Sequence, residues 1–206
     1  TEIYPLSLHD ALPIYTAPIA AAAAAATGAG FMAVDGRGTA SVATMDALRA
    51  VKAKGVVLMN VPSMMGSAFV DKIRSAGISV RRMAGSTSEA VAIATAAEYP
   101  DTTTRAVVVS GAGIPHHESG TGAAVAGALR QPFLYARAEC VSDAAAALLD
   151  RRRDTVLAVG PASRLHATVL SGDGCTAVRG AAAVTLRDKI AATMKRHPSS
   201  SYAVTV

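Results

Sequence analysis

Short, chemically matched segments recur in this 206-residue chain 97 to 102 positions apart, a separation long enough to hold a whole folding unit. Arg82 is answered by Arg179, Ile93-Ala94 by Ile190-Ala191 and Ala106-Val107 by Ala203-Val204, each 97 positions on. Pro62 is answered by Pro161 at 99 and Phe31 by Phe133 at 102. A drift of a few residues is what small loop insertions produce. Duplication of a domain-sized unit usually builds a surface by copying, and copied units more often bind than catalyse.

Within each unit, short β-branched runs alternate with longer Ala-rich helical stretches. Strands are expected at 31–34, 56–61, 78–82, 106–110, 133–136, 155–159, 176–179 and 202–206. Helices are expected near 40–53, 65–76, 87–98, 119–130, 141–151, 163–171 and 184–196. Strand–helix–strand alternation without a hairpin signal points to parallel strands with helical crossovers. Continuous apolar strands such as Val56-Val57-Leu58-Met59 fit sheets covered on both faces. The expected fold is α/β: tandem open parallel sheets with flanking helices, Rossmann-like or flavodoxin-like three-layer repeats. Ser41 or Thr44 caps one helix, Gly77 closes another, and Ser86-Thr87-Ser88-Glu89 offers a capping box with Ser86 as the cap.

Hydrophobic residues make up 51% of the chain but aromatics only 4%, so the core is built from small side chains that let helix and sheet approach closely. The first fourteen residues are set aside, because Leu6 through Ile14 looks like one reading frame of a common sequencing adapter. The formal charge of +5 then becomes +7, since Glu2 and Asp10 leave 13 acidic residues against 20 basic ones. That balance favours anionic partners. From Ala11 to Val34 no residue is charged, yet Ala is too weakly apolar to drive membrane insertion, and a packed helix is expected there. Tyr202 through Val206 ends inside an expected strand, so the chain reads as a fragment of something longer, with no signal peptide in view. Cys140 and Cys175 are the only cysteines. Their spacing excludes a zinc ribbon or CxxC chemistry; two separate thiols are favoured over a disulfide.

An enzyme would hide in the loop Ser110–Gly122, which follows a strand and carries His116, His117 and Glu118. As a dinucleotide fingerprint it fails, with Pro115 and His116 where a third Gly belongs, and no Gly-Lys-Ser/Thr makes a P-loop. Adjacent histidines cannot share a metal in most backbone conformations, and Ser110 lacks the Gly-x-Ser-x-Gly setting of a nucleophile. No catalytic residue, metal site or cofactor is assigned. Arg151-Arg152-Arg153, Arg81-Arg82 and Lys52 with Lys54 read as solvated charge, dipole-compensating at helix ends. Their functional alternative is an anchor for phosphate or carboxylate groups. No aromatic is interleaved with them as a nucleic-acid platform requires.

In order, Arg82-Met83-Ala84-Gly85, the helix with Glu89-Ala90-Val91-Ala92-Ile93-Ala94, the strand Ala106–Ser110 with its Gly/Pro loop, and Pro132-Phe133-Leu134-Tyr135 form a series. This series resembles the type 2 cell-wall-binding repeat of Gram-positive surface proteins. Ser86-Thr87-Ser88 stands where that family carries an Asp-Arg-Tyr-like trio, and His116-His117-Glu118-Ser119 where it favours Asp-Ala-Leu-Ser. The resemblance implies a partial unit at 15–80, a complete one at 81–178 and the start of a third at 179–206. It also implies non-covalent binding to an anionic cell-wall polysaccharide or teichoic-acid-like polymer, neighbouring repeat units as partners, and an extracellular, wall-bound location. Arg82, Gly85, Ser110, Gly111, His116, His117, Arg137 and Arg179 are the implied contact residues. The alternative is an α/β enzyme or small-molecule-binding domain using the loop 110–122.

Overall fold

The computed structural model describes residues 5–10, 16–36, 38–59, 65–83, 85–100, 103–111, 116–160, 165–180 and 201–203. Among the described residues, eight strands form two four-stranded sheets. The first holds β1 (Pro5–Asp10), β2 (Phe31–Val34), β3 (Gly55–Met59) and β4 (Ser79–Met83) in the order β2-β1-β3-β4. The second holds β5 (Arg105–Ser110), β6 (Phe133–Ala136), β7 (Thr155–Val159) and β8 (Ser201–Ala203) in the order β6-β5-β7-β8. Every pairing is parallel. The α/β class and the tandem parallel sheets are as the sequence pattern predicts.

The two sheets have one topology, which makes the repeat visible element by element. β1 and β5 start at 5 and 105, β2 and β6 at 31 and 133, β3 and β7 at 55 and 155. Offsets of 100 and 102 therefore carry the duplication, and the Phe31–Phe133 match belongs to it. Two of the identities at 97 do not: Arg82 lies on β4 while Arg179 lies on a helix, and Ala106 on β5 is matched with Ala203 on β8; Ile190-Ala191 lies outside the described residues. In Val- and Ala-rich segments a shift of three residues still aligns like letters, so these identities arise between unlike elements.

Other segments differ from the expected elements. Pro5–Asp10, set aside above, is an interior strand of the first sheet, with Leu8 in register with both Met32 and Leu58. β4 spans positions 80 and 81, and residues 201–203 pair with β7 as the fourth strand of the second sheet. Thr176–Arg179, expected as a strand, lies in helix α7 (Cys175–Gly180), whose first turn is held by Asp143: its carboxylate accepts from the Thr176 amide at 3.0 Å and from the Thr176 hydroxyl at 2.6 Å. The span 163–171 gives only a 3-10 turn at Ala167–Ser171, and 184–196 lies outside the described residues.

The helices are α1 (Ala17–Thr27), α2 (Val42–Ala50), α3 (Ser67–Ser75), α4 (Ser88–Ala96), α5 (His116–Leu129) and α6 (Asp143–Arg152). Ser41 caps α2, accepting from the Thr44 amide at 3.1 Å. Thr87, one residue later than expected, caps α4 and accepts from Ala90 at 3.1 Å. α1 is the Ala-rich stretch, started by Pro18 and closed by Gly28 at φ +72°. No described helix is long and apolar enough to cross a membrane. Instead α1 packs against α5, and Ile19, Ala20, Ala22 and Ala23 join one core with Ala123, Ala126 and the second sheet. The approach is close because both helices carry small residues. A Cβ on Gly127 would sit 2.6 Å from the Ala25 Cβ, so only glycine fits. A separate core under α2 and α3 gathers Leu48, Leu58, Phe69 and Ile73. α4 leaves the first sheet and lies against β6 of the second, taking Val91, Ala92 and Ala96 into that core.

Candidate functional site

Among the described residues, one cavity opens at the exit end of the second sheet and another lies in the seam between the halves. At the exit end of the second sheet, the ends of β5 and β6 meet the first turn of α4. The Gly111 amide donates to the Ala136 carbonyl at 2.7 Å, carrying the β5–β6 ladder past the strand ends. The opening that results, about 490 Å³, is lined by Thr87, Ser88 and Glu89 on one side and by Gly111, Tyr135, Ala136 and Arg137 on the other. Tyr135 is held edge-on to Phe133, with ring centroids 5.1 Å apart.

The segment bearing Arg137 is tied down on all sides. Its amide donates to the Cys140 carbonyl at 2.8 Å, and Val141 bridges back to Ala136 and across to Gly174. The His166 amide donates to Ala138 at 2.7 Å. Cys140 and Cys175 form a disulfide, with Cα atoms 5.0 Å apart, which corrects the preference for separate thiols. Cysteine spacing alone carried no sign of this, because the pairing follows from α7 folding back beside the exit of β6.

Of the sequence-assigned residues, Gly111 and Arg137 are brought together at this cavity, and Ser110 is buried next to it at the end of β5. Gly85 has a packing role: a Cβ there would lie 2.6 Å from the Val91 nitrogen and 2.8 Å from the Ala90 Cβ. Arg82 donates to the Met65 carbonyl at 3.1 Å, pinning β4 to the start of α3. His116 and His117 open α5, and Arg179 lies on α7; the side chains of these three are outside the described residues. Glu118 is buried, with its Oε2 3.7 Å from where a Cβ on Gly160 would stand, so it faces the end of β7. Among the described residues no three His, Cys, Asp or Glu side chains gather as a metal site.

The second cavity, about 470 Å³, lies in the seam between the halves. Thr27 and Ala29 at the end of α1, Met59 and Met83 of the first sheet, and Thr103 and Arg130 of the second half line it. Across its mouth Arg81 pairs with Glu98 at 2.7 Å. Tyr99 lines it too; its hydroxyl is buried without a hydrogen-bond partner among the described residues, and burial pushes its pKa up to about 12. Arg152, almost fully buried, staples the adjoining connector. It pairs with Asp154 at 2.9 Å and donates to the Tyr99 carbonyl at 2.8 Å, the Pro100 carbonyl at 2.9 Å and the Thr103 hydroxyl. No sequence signal marked this seam, since its walls come from five separated segments.

No family model and no curated protein matches the chain. Its fold is shared with solved structures that include two from Clostridium difficile. Cwp6 from Clostridium difficile aligns with a TM-score of 0.73 at 11% identity, over 98% of this chain and 37% of its own length. Cwp8 from Clostridium difficile aligns with a TM-score of 0.71 at 16% identity, over 99% of this chain and 31% of its own length. The chain thus spans about a third of each of these cell wall proteins and is similar to them in fold.

Proposed function

We propose that this chain is a wall-anchoring binding module, holding a longer surface protein to an anionic cell-wall polymer by non-covalent contact. The observation that carries the reading is the duplicated sheet order, β2-β1-β3-β4 and β6-β5-β7-β8, in a fold shared with two cell wall proteins. The disulfide supports an extracellular location, because such bonds persist in oxidising compartments. The excess of 20 basic over 15 acidic residues favours an anionic ligand such as a wall polysaccharide or a teichoic-acid-like chain. Gly111, Arg137 and the neighbouring Ser110 would offer hydrogen bonds at the exit-end cavity, with Arg82 and Gly85 as supports, and His116 and His117, which open α5, are further contacts in this reading. Each unit adds avidity to the others.

A neighbouring repeat unit is the other proposed partner. β2 presents Phe31 42% exposed, where its counterpart β6 is covered by α4, so β2 has the form of a seat for a helix from another unit.

The test is retention of the purified protein on isolated Gram-positive cell walls across a salt series. Retention that falls with salt, and disappears once anionic polymers are stripped from the walls, is expected. No retention on intact walls contradicts anchoring.

A further inference from the structure

Charge is divided between the two ends of the molecule. In a parallel sheet with helical crossovers, strands start where helices finish. Lys52 and Lys54 stand at that end between α2 and β3, Arg105 begins β5, Arg130 follows α5, and Arg151 and Arg153 finish α6. The halves share this end: the C-terminal parts of α1 and α5 meet at Ala25 and Gly127, and the seam cavity is walled by Ala29 from one and Arg130 from the other.

The carboxylates at this end are largely committed. Asp46 pairs with Arg49 at 2.8 Å, Glu98 with Arg81 at 2.7 Å, and Asp154 with Arg152 at 2.9 Å. None of the six cations named above has an ion-pair partner among the described residues, and Asp71 and Asp150 are the acids there outside those pairs. Helix dipoles do not cancel this excess. Six helix ends supply about half a negative charge each, against six full positive ones. The exit end is the reverse: Asp35, Glu89, Glu118, Glu139, Asp143 and Asp173 stand there against Arg82 and Arg137 among the described side chains.

Backbone geometry supplies an independent observation. The described non-glycine residues with positive φ are Lys52 at 52°, Arg130 at 53° and Arg153 at 56°. Each follows a helix, in the left-handed conformation that glycine adopts most easily. At all three the chain keeps a long cation where the backbone favours no side chain.

We infer that the strand-start end is the face that takes the polymer's charge, with phosphate or carboxylate groups lying along Lys52, Lys54, Arg105, Arg130, Arg151 and Arg153 across both halves. This rests on the anchoring reading and locates its electrostatic contact opposite the end where open parallel sheets usually bind ligands.

The triple variant Lys52→Gly, Arg130→Gly, Arg153→Gly removes three charges while giving each backbone its preferred residue, so its Tm stays at or above that of the parent protein. Retention on purified cell walls, before and after acid stripping of phosphodiester-linked polymers, is measured for both proteins across a salt series. The triple variant is expected to bind intact walls about tenfold more weakly, as three lost surface ion contacts imply. Equal retention of variant and parent, with the parent released by stripping, overturns this face but leaves anchoring in place. A parent that ignores intact walls, or holds stripped walls equally well, overturns the anchoring reading and this inference together. So does a parent that prefers single-stranded DNA or anionic vesicles to walls.

Discussion

β2 and β6 are the same strand twice. Each has four residues, begins with Phe, forms the edge of its sheet and pairs in parallel with that sheet's first strand. Yet Phe31 is 42% exposed and Phe133 2%. Tyr135 is buried where its counterpart Ala33 is exposed. Hydrogen bonding and position in the sheet are alike, so the difference lies in what covers them: α4 crosses from the first half onto β6, and no described helix does so for β2. Burial of an outer strand in this fold is a property of the neighbouring unit, and repeats of this kind depend on their contacts with one another.

That contrast orders the expected stabilities. Phe133→Ala should cost about 3–5 kcal/mol, because it empties a closed site between α5 and α4. Cys140→Ser should cost about 2–4 kcal/mol, through the lost constraint on a segment that has no stapled counterpart in the first half. Both are read from urea unfolding of the oxidised protein. Tyr99 probes the seam. Its folded pKa of about 12 lies above the ordinary 10, so the neutral phenol is the form the fold favours. Stability from this group is complete below pH 10 and is lost as pH rises toward 12. Tyr99→Phe should leave neutral-pH stability nearly unchanged and remove a decline of up to about 2 kcal/mol across that window. The smallest effect belongs to Phe31→Ala, at about 1 kcal/mol or less. A cost for Phe31→Ala equal to that for Phe133→Ala would break the comparison.

The helices and most strands were legible because periodicity changes sharply at Gly55, Arg105 and Thr155, and caps such as Ser41 act through local hydrogen bonds. The duplication was legible in Phe31 and Phe133, but its true offset was masked by repeated Ala and Val. β1 was discarded for the look of its letters, and its alternation of Leu with Ser and His lacks the continuous apolar run that marks β3. α7 was misread because Thr176 and Val178 favour strands, while its helix is started by Asp143, distant in sequence. Sites fared less well for the same reason. Gly111 and Arg137 meet through β5–β6 pairing, whereas the seam cavity and the cationic end are assembled by the packing of α1 on α5. Lys52 and Arg153 were noted as charge, but only backbone dihedrals reveal them in glycine's conformation.

Native-state amide hydrogen exchange, resolved residue by residue, tests most directly whether one unit's helix seals the other's outer strand. The amides of β6 are expected to exchange only with global unfolding, and those of β2 through local opening at a clearly lower free energy. Equal protection of the two strands, or greater protection of β2, would contradict it.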